Sequence, residues 1–181
     1  MAILSLTEYK TYTNITTTNA DARLNIIIPS SEKFILDMIK KNIEVANYKE
    51  KYDGDGEYEL LLNQYPITSV VELKIEDELI NVTDYYVYNS SGIIKMKYGL
   101  FTIGLQNIYI DYNAGYNPVP PDIKMAIAEL VTRKVEQFDK KGNSFSSESF
   151  MGGSLVFKES DLTDFQKEVI NFYRKKGVKA T

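Results

Sequence analysis

Ile108-Tyr109-Ile110-Asp111-Tyr112, then Asn113-Ala114-Gly115-Tyr116, then Asn117-Pro118-Val119-Pro120-Pro121-Asp122 and on to Phe138: this stretch decides the fold. Its β-branched and aromatic opening favours a half-buried strand, and Asn113-Ala114-Gly115 lets the chain turn out of it. Three prolines then deny the ladder its donors. Pro121 and Asp122 suit a first helical turn, where a missing N–H costs nothing and a carboxylate meets the positive end of the helix dipole. From there Ile123, Ala126, Ile127, Leu130, Val131 and Phe138 fall on one face of a 3.6-residue period, which predicts a helix from about Pro121. That face needs a partner elsewhere in the chain.

The totals bound the search. At 181 residues the chain is long enough for one real core, and 44% hydrophobic with 25% charged residues is ordinary globular composition. A net charge of −4 argues against a broad grip on nucleic acid, which needs clustered Lys and Arg. The charge is uneven: Arg174, Lys175, Lys176 and Lys179 make the last eight residues +4, leaving −8 before them. Those bases either complement a helix C-terminus or form a docking tail. Cys and His are both absent, which removes thiolate nucleophiles, imidazole bases and the usual soft metal ligands. The N-terminus lacks a basic region with a long apolar core, and no run reaches the roughly 18 apolar residues of a membrane span, so a cytoplasmic setting, or a particle assembled there, is expected.

Before the deciding stretch, Ser5-Leu6-Thr7-Glu8 has capping-box spacing and predicts a short helix over about Leu6 to Thr13. Thr18-Asn19-Ala20-Asp21 offers a second cap, after which Leu24, Ile27, Ile28, Ile35, Met38 and Ile39 keep helical phase, with Ser31 the polar residue on the stripe. Pro29 interrupts this run. Either one helix kinks or a new one starts at Ser30 or Ser31, and the unbroken phase favours one kinked helix. Glu44 to Glu50 reads as its fraying end. From Glu57 to Tyr112 the period changes to that of strands: Glu57–Leu62, Val70–Ile75, a hairpin of Tyr85–Tyr88 and Ile93–Lys97 around Asn89-Ser90-Ser91-Gly92, and then Ile108 onward. After Phe138, residues 144–153 are small and polar, and Ser154-Leu155-Val156-Phe157 reads as a strand or an extended arm. Thr163-Asp164-Phe165-Gln166 caps a last helix that Gly177 closes.

The fold class is therefore α+β. A small α-helical bundle (1–50 and 118–141) carries an inserted antiparallel β module (51–117), followed by a flexible linker, an extended arm and a C-terminal helix (142–181).

Sites for chemistry are scarce. Asp53, Asp55 and Glu57 start like a calcium loop, but its sixth and twelfth positions are Tyr58 and Gln64 where Gly and Glu are needed. No phosphate loop occurs, and Gly152-Gly153 reads as a hinge. Tyr58, Tyr85, Tyr86, Tyr88, Tyr98 and Tyr109 cluster in an acid-rich module, which favours core and interface tyrosines over a base-stacking platform.

Four features in order give the chain a resemblance to the head-to-tail connector (adaptor) proteins of long-tailed bacteriophages. They are Leu6-Thr7-Glu8-Tyr9-Lys10 with the Asp21–Ile39 helix; Leu60-Leu61-Leu62 leading to Tyr65-Pro66-Ile67-Thr68-Ser69-Val70; the junction Asp111-Tyr112-Asn113-Ala114-Gly115-Tyr116 with Val119-Pro120-Pro121-Asp122-Ile123-Lys124; and Ser146-Ser147-Glu148-Ser149-Phe150-Met151-Gly152 with Phe172-Tyr173-Arg174-Lys175-Lys176. Pro29 departs from the unbroken helix usual there. The resemblance implies a structural virion protein without cofactor or catalysis. It would form a ring, most often of twelve, at the head-to-tail interface, seated on the portal protein and receiving the next tail-completion (stopper) protein. Double-stranded DNA would pass without sequence-specific contacts, and no membrane would be involved. The expected portal-docking residues are Leu155, Phe157, Phe165, Phe172, Tyr173, Arg174, Lys175, Lys176 and Lys179. The competing expectations are another tail-completion role, as stopper or terminator, and a small carboxylate-based enzyme or ligand-binding module with a concave pocket.

Overall fold

The computed structural model describes residues 2–140 and 157–174, the side chain of Lys140 apart. Four helices, α1 (Leu6–Thr13), α2 (Asp21–Ile39), α3 (Pro121–Lys140) and α4 (Asp164–Tyr173), lie in one compact unit, which among the described residues is 2–41, 119–140 and 157–174. Residues 42–118 form a second unit, built of β-strands with one short 3-10 helix at Val82–Asp84. The class is α+β, with the β unit inserted between α2 and α3.

In the helical unit, α1 begins where the sequence placed it. The Ser5 hydroxyl accepts from the Glu8 N–H at 3.2 Å, and the Glu8 carboxylate accepts from the Ser5 N–H at 2.8 Å. At α2 the expected side-chain cap does not form. Ala20 is the cap residue, and the Asp21 N–H donates to the Thr18 carbonyl instead. One unbroken helix passes through Pro29. Neither candidate serine starts a new one: the Ser30 hydroxyl donates back to the Ile26 carbonyl at 2.7 Å, and Ser31 is wholly buried. The proline ring faces solvent, so it displaces nothing from the core, and the stripe Leu24, Ile27, Ile28, Ile35, Ile39 stays buried. The facing stripe comes from α3, whose Ile123, Ala126, Ile127, Leu130 and Val131 are all 0% exposed. At about 25 cal/mol per Å² of apolar area removed from water, this interlock is the main stabilisation of the unit.

The β unit holds seven strands in two antiparallel sheets, more than the five or so the sequence predicts. They are β1 (Ala46–Gly54), β2 (Glu59–Leu61), β3 (Ile67–Ile75), β4 (Glu78–Leu79), β5 (Tyr85–Tyr88), β6 (Ile93–Met96) and β7 (Gly104–Ala114). One sheet runs in the order β1-β7-β3-β4 and the other β2-β6-β5. Leu60, Tyr85 and Ile94 from the smaller sheet share a core with Leu73, Ile75, Ile108, Ile110 and Tyr112 from the larger.

β1 corrects the sequence analysis. Residues 46–50, expected at the frayed end of a helix and counted with the bundle, are a strand paired along β7 from Ala46↔Ala114 to Gly54↔Gly104. The reason is polar. Glu50 sits on the inward row between Tyr48 and Tyr52, a position an isolated acid would resist. Its carboxylate there accepts from the Tyr52 hydroxyl and, at 2.8 Å, from the Tyr112 hydroxyl. Those hydroxyls in turn accept the backbone N–H groups of Asn63 and Gln64. Burial and the neighbouring Glu50 push both phenols above the ordinary tyrosine range, so they remain donors.

Gly115 closes the unit. At φ +131°, and with an added Cβ falling 2.4 Å from the Glu44 carbonyl oxygen, this position admits no side chain. The Gly115 N–H donates to the Pro66 carbonyl and the Tyr116 N–H to the Ile43 carbonyl, which ties the exit of the module to its entrance.

Candidate assembly surfaces

Among the described residues the acids offer no shared reaction centre. Three of these acids have pKa values lowered, in three separate places, and each has a structural cause. Lys124 and the Ser5 cap hold Glu8 at about 2; Asn47 and Lys49 lower Asp111; Lys134 and the Lys158 N–H lower Asp161. Asp53 and Asp55, the start of the discarded calcium pattern, accept the backbone N–H groups of Gln106 and Glu57. Among the described residues no group of three or more His, Cys, Asp or Glu is placed to hold a metal, and no helix is long and apolar enough to cross a membrane.

Among the described residues three candidate surfaces remain, one on the helical unit and two on the β unit. On the helical unit the C-terminal segment is locked to α3 by a polar network. Gln166 is wholly buried; its amide donates to the Ala126 carbonyl at 2.8 Å, and its side-chain oxygen accepts from Arg133 at 2.5 Å and from the Thr163 N–H at 3.0 Å. Arg133 also donates to the Asp161 carbonyl, and Lys134 pairs with the Asp161 carboxylate at 2.6 Å. The capping box therefore fixes the start of α4 and its seat on α3 with one side chain.

This lock decides where the expected docking residues stand. Phe157 stacks on Phe34 with ring centroids 5.1 Å apart, under the Lys134 ammonium. Phe165 is half-buried. Tyr173 is buried and donates to the Asp122 carboxylate at 2.9 Å, while the Arg174 guanidinium donates to the Met38 carbonyl at 3.2 Å. Phe172 alone of the described set points out, at 75% exposed. Leu155, Lys175, Lys176 and Lys179 lie outside the described residues.

On the β unit two apolar regions face outward. The outer face of the smaller sheet presents Leu61, Tyr86 and Tyr88 beside Lys95, with Tyr58 just before β2. The Lys95 and Lys97 ammonium groups sit 4.4 Å and 4.5 Å from the Tyr58 and Tyr86 ring centroids, within cation–π range. The second region is the loop from β6 to β7, which the sequence analysis did not single out as a site. Tyr98, Leu100, Ile103 and Leu105 are 80%, 52%, 80% and 87% exposed around a wholly buried Phe101. Phe101, Ile103 and Leu105 alternate with Thr102 and Gly104, yet Phe101 is buried while Ile103 and Leu105 face out, so periodicity could not have marked this region as a surface.

A sequence model described as "Head completion protein" matches residues 2–176. The chain is 22% identical over 184 residues to the head completion protein of Escherichia phage T5, covering 97% of this chain and 99% of that one. Among solved structures it is similar to a chain in the neck of an empty gene transfer agent particle computed with C6 symmetry. That match has a TM-score of 0.62, 15% identity and coverage of 99% and 93% of the two chains. A chain in the neck of the native particle, computed with C12 symmetry, gives a TM-score of 0.58 at 14% identity, covering 99% and 92%. These two likenesses concern the fold.

Proposed function

We infer the function from one premise, supplied by the match over residues 2–176: the chain belongs to the head completion protein family. It is a structural protein of the head-to-tail junction of a phage-type particle. Within that role we place it as an adaptor, a ring of twelve copies that seats on the portal and receives the next tail-completion protein. The virion neck is its site of action, after assembly in the host cytoplasm.

Three observations support this reading. The units differ in charge: residues 42–118 carry twelve carboxylates against five lysines, a net of −7, which leaves +3 for the rest of the chain. An acidic module lets double-stranded DNA slide past without sticking, because it repels phosphates. Large apolar side chains stay exposed on the β unit although its own core is complete, as expected of a subunit that finishes its packing on neighbours. Phe172 stands exposed next in sequence to the basic end Arg174, Lys175, Lys176 and Lys179, a pairing that suits a portal-docking surface, while Phe157 and Tyr173 pack within the helical unit. Catalysis has no part in this function; the perturbed acids are salt-bridge and cap partners.

Size-exclusion chromatography with light scattering, on the protein alone and mixed with its portal, tests the placement. The expected result is a ring-sized complex with the portal, weakened when Gly177–Thr181 is deleted. A protein that ignores the portal and binds heads only after another neck component has been added would be a stopper or terminator instead.

A further inference from the structure

The β6–β7 loop sits at a defined place. The chain enters and leaves the β unit where Ala46 pairs with Ala114, and the loop lies beyond Gly54↔Gly104, about 25 Å along the ladder at roughly 3.3 Å per residue. It is built, not loose. Phe101 is buried, its N–H donates to the Glu57 carbonyl, and its carbonyl accepts from the Gly56 N–H. Asn107 bonds the Thr102 carbonyl with its amide and accepts the Gly54 N–H on its side-chain oxygen. The Glu76 N–H donates to the Asn107 carbonyl, which brings the β3–β4 turn to the same end. Tyr98, Leu100, Ile103 and Leu105 are thus held outward on a fixed base, so little ordering entropy opposes binding.

The rim of this tip is acidic. Asp53 lies near the end of β1 with Asp55 and Glu57 just after it, Glu76 and Asp77 make the β3–β4 turn and Glu78 opens β4, all six exposed. Apolar side chains ringed by carboxylates exclude two occupants at once. DNA is repelled, and the same tip of a second copy brings six more carboxylates against these. The β unit of a second copy fits poorly as well, because the bases beside its exposed apolar residues are engaged: Lys95 with Glu59, Lys97 with the Thr83 carbonyl, Lys74 with Glu72. The chain's own basic end, which on the functional reading above binds the portal, has the opposite chemistry, so the two cannot share one receiving surface.

We propose that the tip formed by Tyr98, Leu100, Ile103 and Leu105 is the docking surface for the protein added to the neck after this one, and that this partner presents an apolar recess rimmed by Lys and Arg. The proposal rests on the adaptor reading. Ring contacts and portal contacts lie elsewhere on the chain.

The double variant Ile103→Asp/Leu105→Asp tests it in assembling particles, with the purified variant checked by circular dichroism and thermal melting for an unchanged fold. The expected outcome is filled heads that carry this chain at the wild-type level and a drop of about 100-fold in tailed particles, since two apolar anchors are lost from one interface. Asp55→Lys/Glu57→Lys produces a smaller drop that shrinks as salt is raised. Tailed particles at the wild-type level would overturn the proposal. So would heads that lack the folded variant, because the tip would then serve the ring or the portal. If the wild-type chain is itself missing from filled heads, the adaptor reading fails and takes this proposal with it; if only the variants misbehave, the adaptor reading stands.

Discussion

The two units handle apolar surface in opposite ways. Among the described residues the helical unit leaves Tyr12, Ile26, Met125 and Phe172 as its exposed large apolar side chains, whereas the β unit leaves twelve, from Val45 to Leu105. Eleven of the 14 tyrosines also lie in residues 42–118. The helical unit closes on itself through the α2–α3 interlock and through buried polar groups with named partners. The β unit closes only its inner layer, and the hydroxyls of Tyr52 and Tyr112 serve an internal carboxylate while Tyr58, Tyr86, Tyr88 and Tyr98 face out. The same residue type therefore has two uses in one unit, and burial alone separates them. Tyrosine suits both, because its ring covers area while its hydroxyl can end on water or on a partner.

If the β unit is closed only inside, its stability should depend on interior joints and barely on the outward residues. Gly115→Ala is the sharpest test and the largest effect. A Cβ there demands movement of the Glu44 backbone and takes up a left-handed conformation that alanine resists, so we expect about 3 kcal/mol lost in denaturant unfolding. Ile103→Asp, at the tip of the same unit, should stay within about 0.5 kcal/mol. Similar losses from the two would erase the distinction. Gln166→Ala is the matching test in the helical unit. It strips the Ala126 carbonyl and Arg133 of a buried partner, with an expected cost of about 2 kcal/mol.

How far the sequence could be read follows the same division. The α3 start at Pro121, both capping boxes, the hairpin around Gly92 and the helical phase across Pro29 are local signals, and each stands where it was expected. β1 was missed because its inward row is Tyr48, Glu50, Tyr52, and an acid on that row hides the period of two. The hydroxyls of Tyr52 and of the distant Tyr112 together make Glu50 acceptable there. Gln166 was legible as a cap but not as a bolt to α3, since Ala126 and Arg133 are 40 and 33 residues away. The tip was illegible for a different reason. Composition marks Tyr98 to Leu105 as apolar, and nothing local distinguishes a residue that faces the core, as Phe101 does, from one that faces a partner.

The smallest expected effect probes the electrostatics of the helical unit. Glu8 receives the Lys124 ammonium at 2.6 Å together with the Ser5 cap, and its pKa falls from 4.5 to about 2. A depressed carboxylate contributes stability that is complete above about pH 4.5 and is lost as pH falls toward 2, because the unfolded chain takes up the proton first. Glu8→Gln keeps the shape of the capping box and removes the charge. The variant should therefore be less stable than wild type near neutral pH, with the gap narrowing as pH falls through this window. The side chain is 47% exposed, so solvent screening holds the gap to about 0.5 kcal/mol, far less than the size of the shift alone would imply. Paired thermal melts at about pH 6 and about pH 2.5 measure it. A gap that persists unchanged at the lower pH would mean that the loss comes from a cap that Gln does not reproduce, and that the charge on Glu8 and its bond from Lys124 on α3 contribute nothing to holding α1 in place.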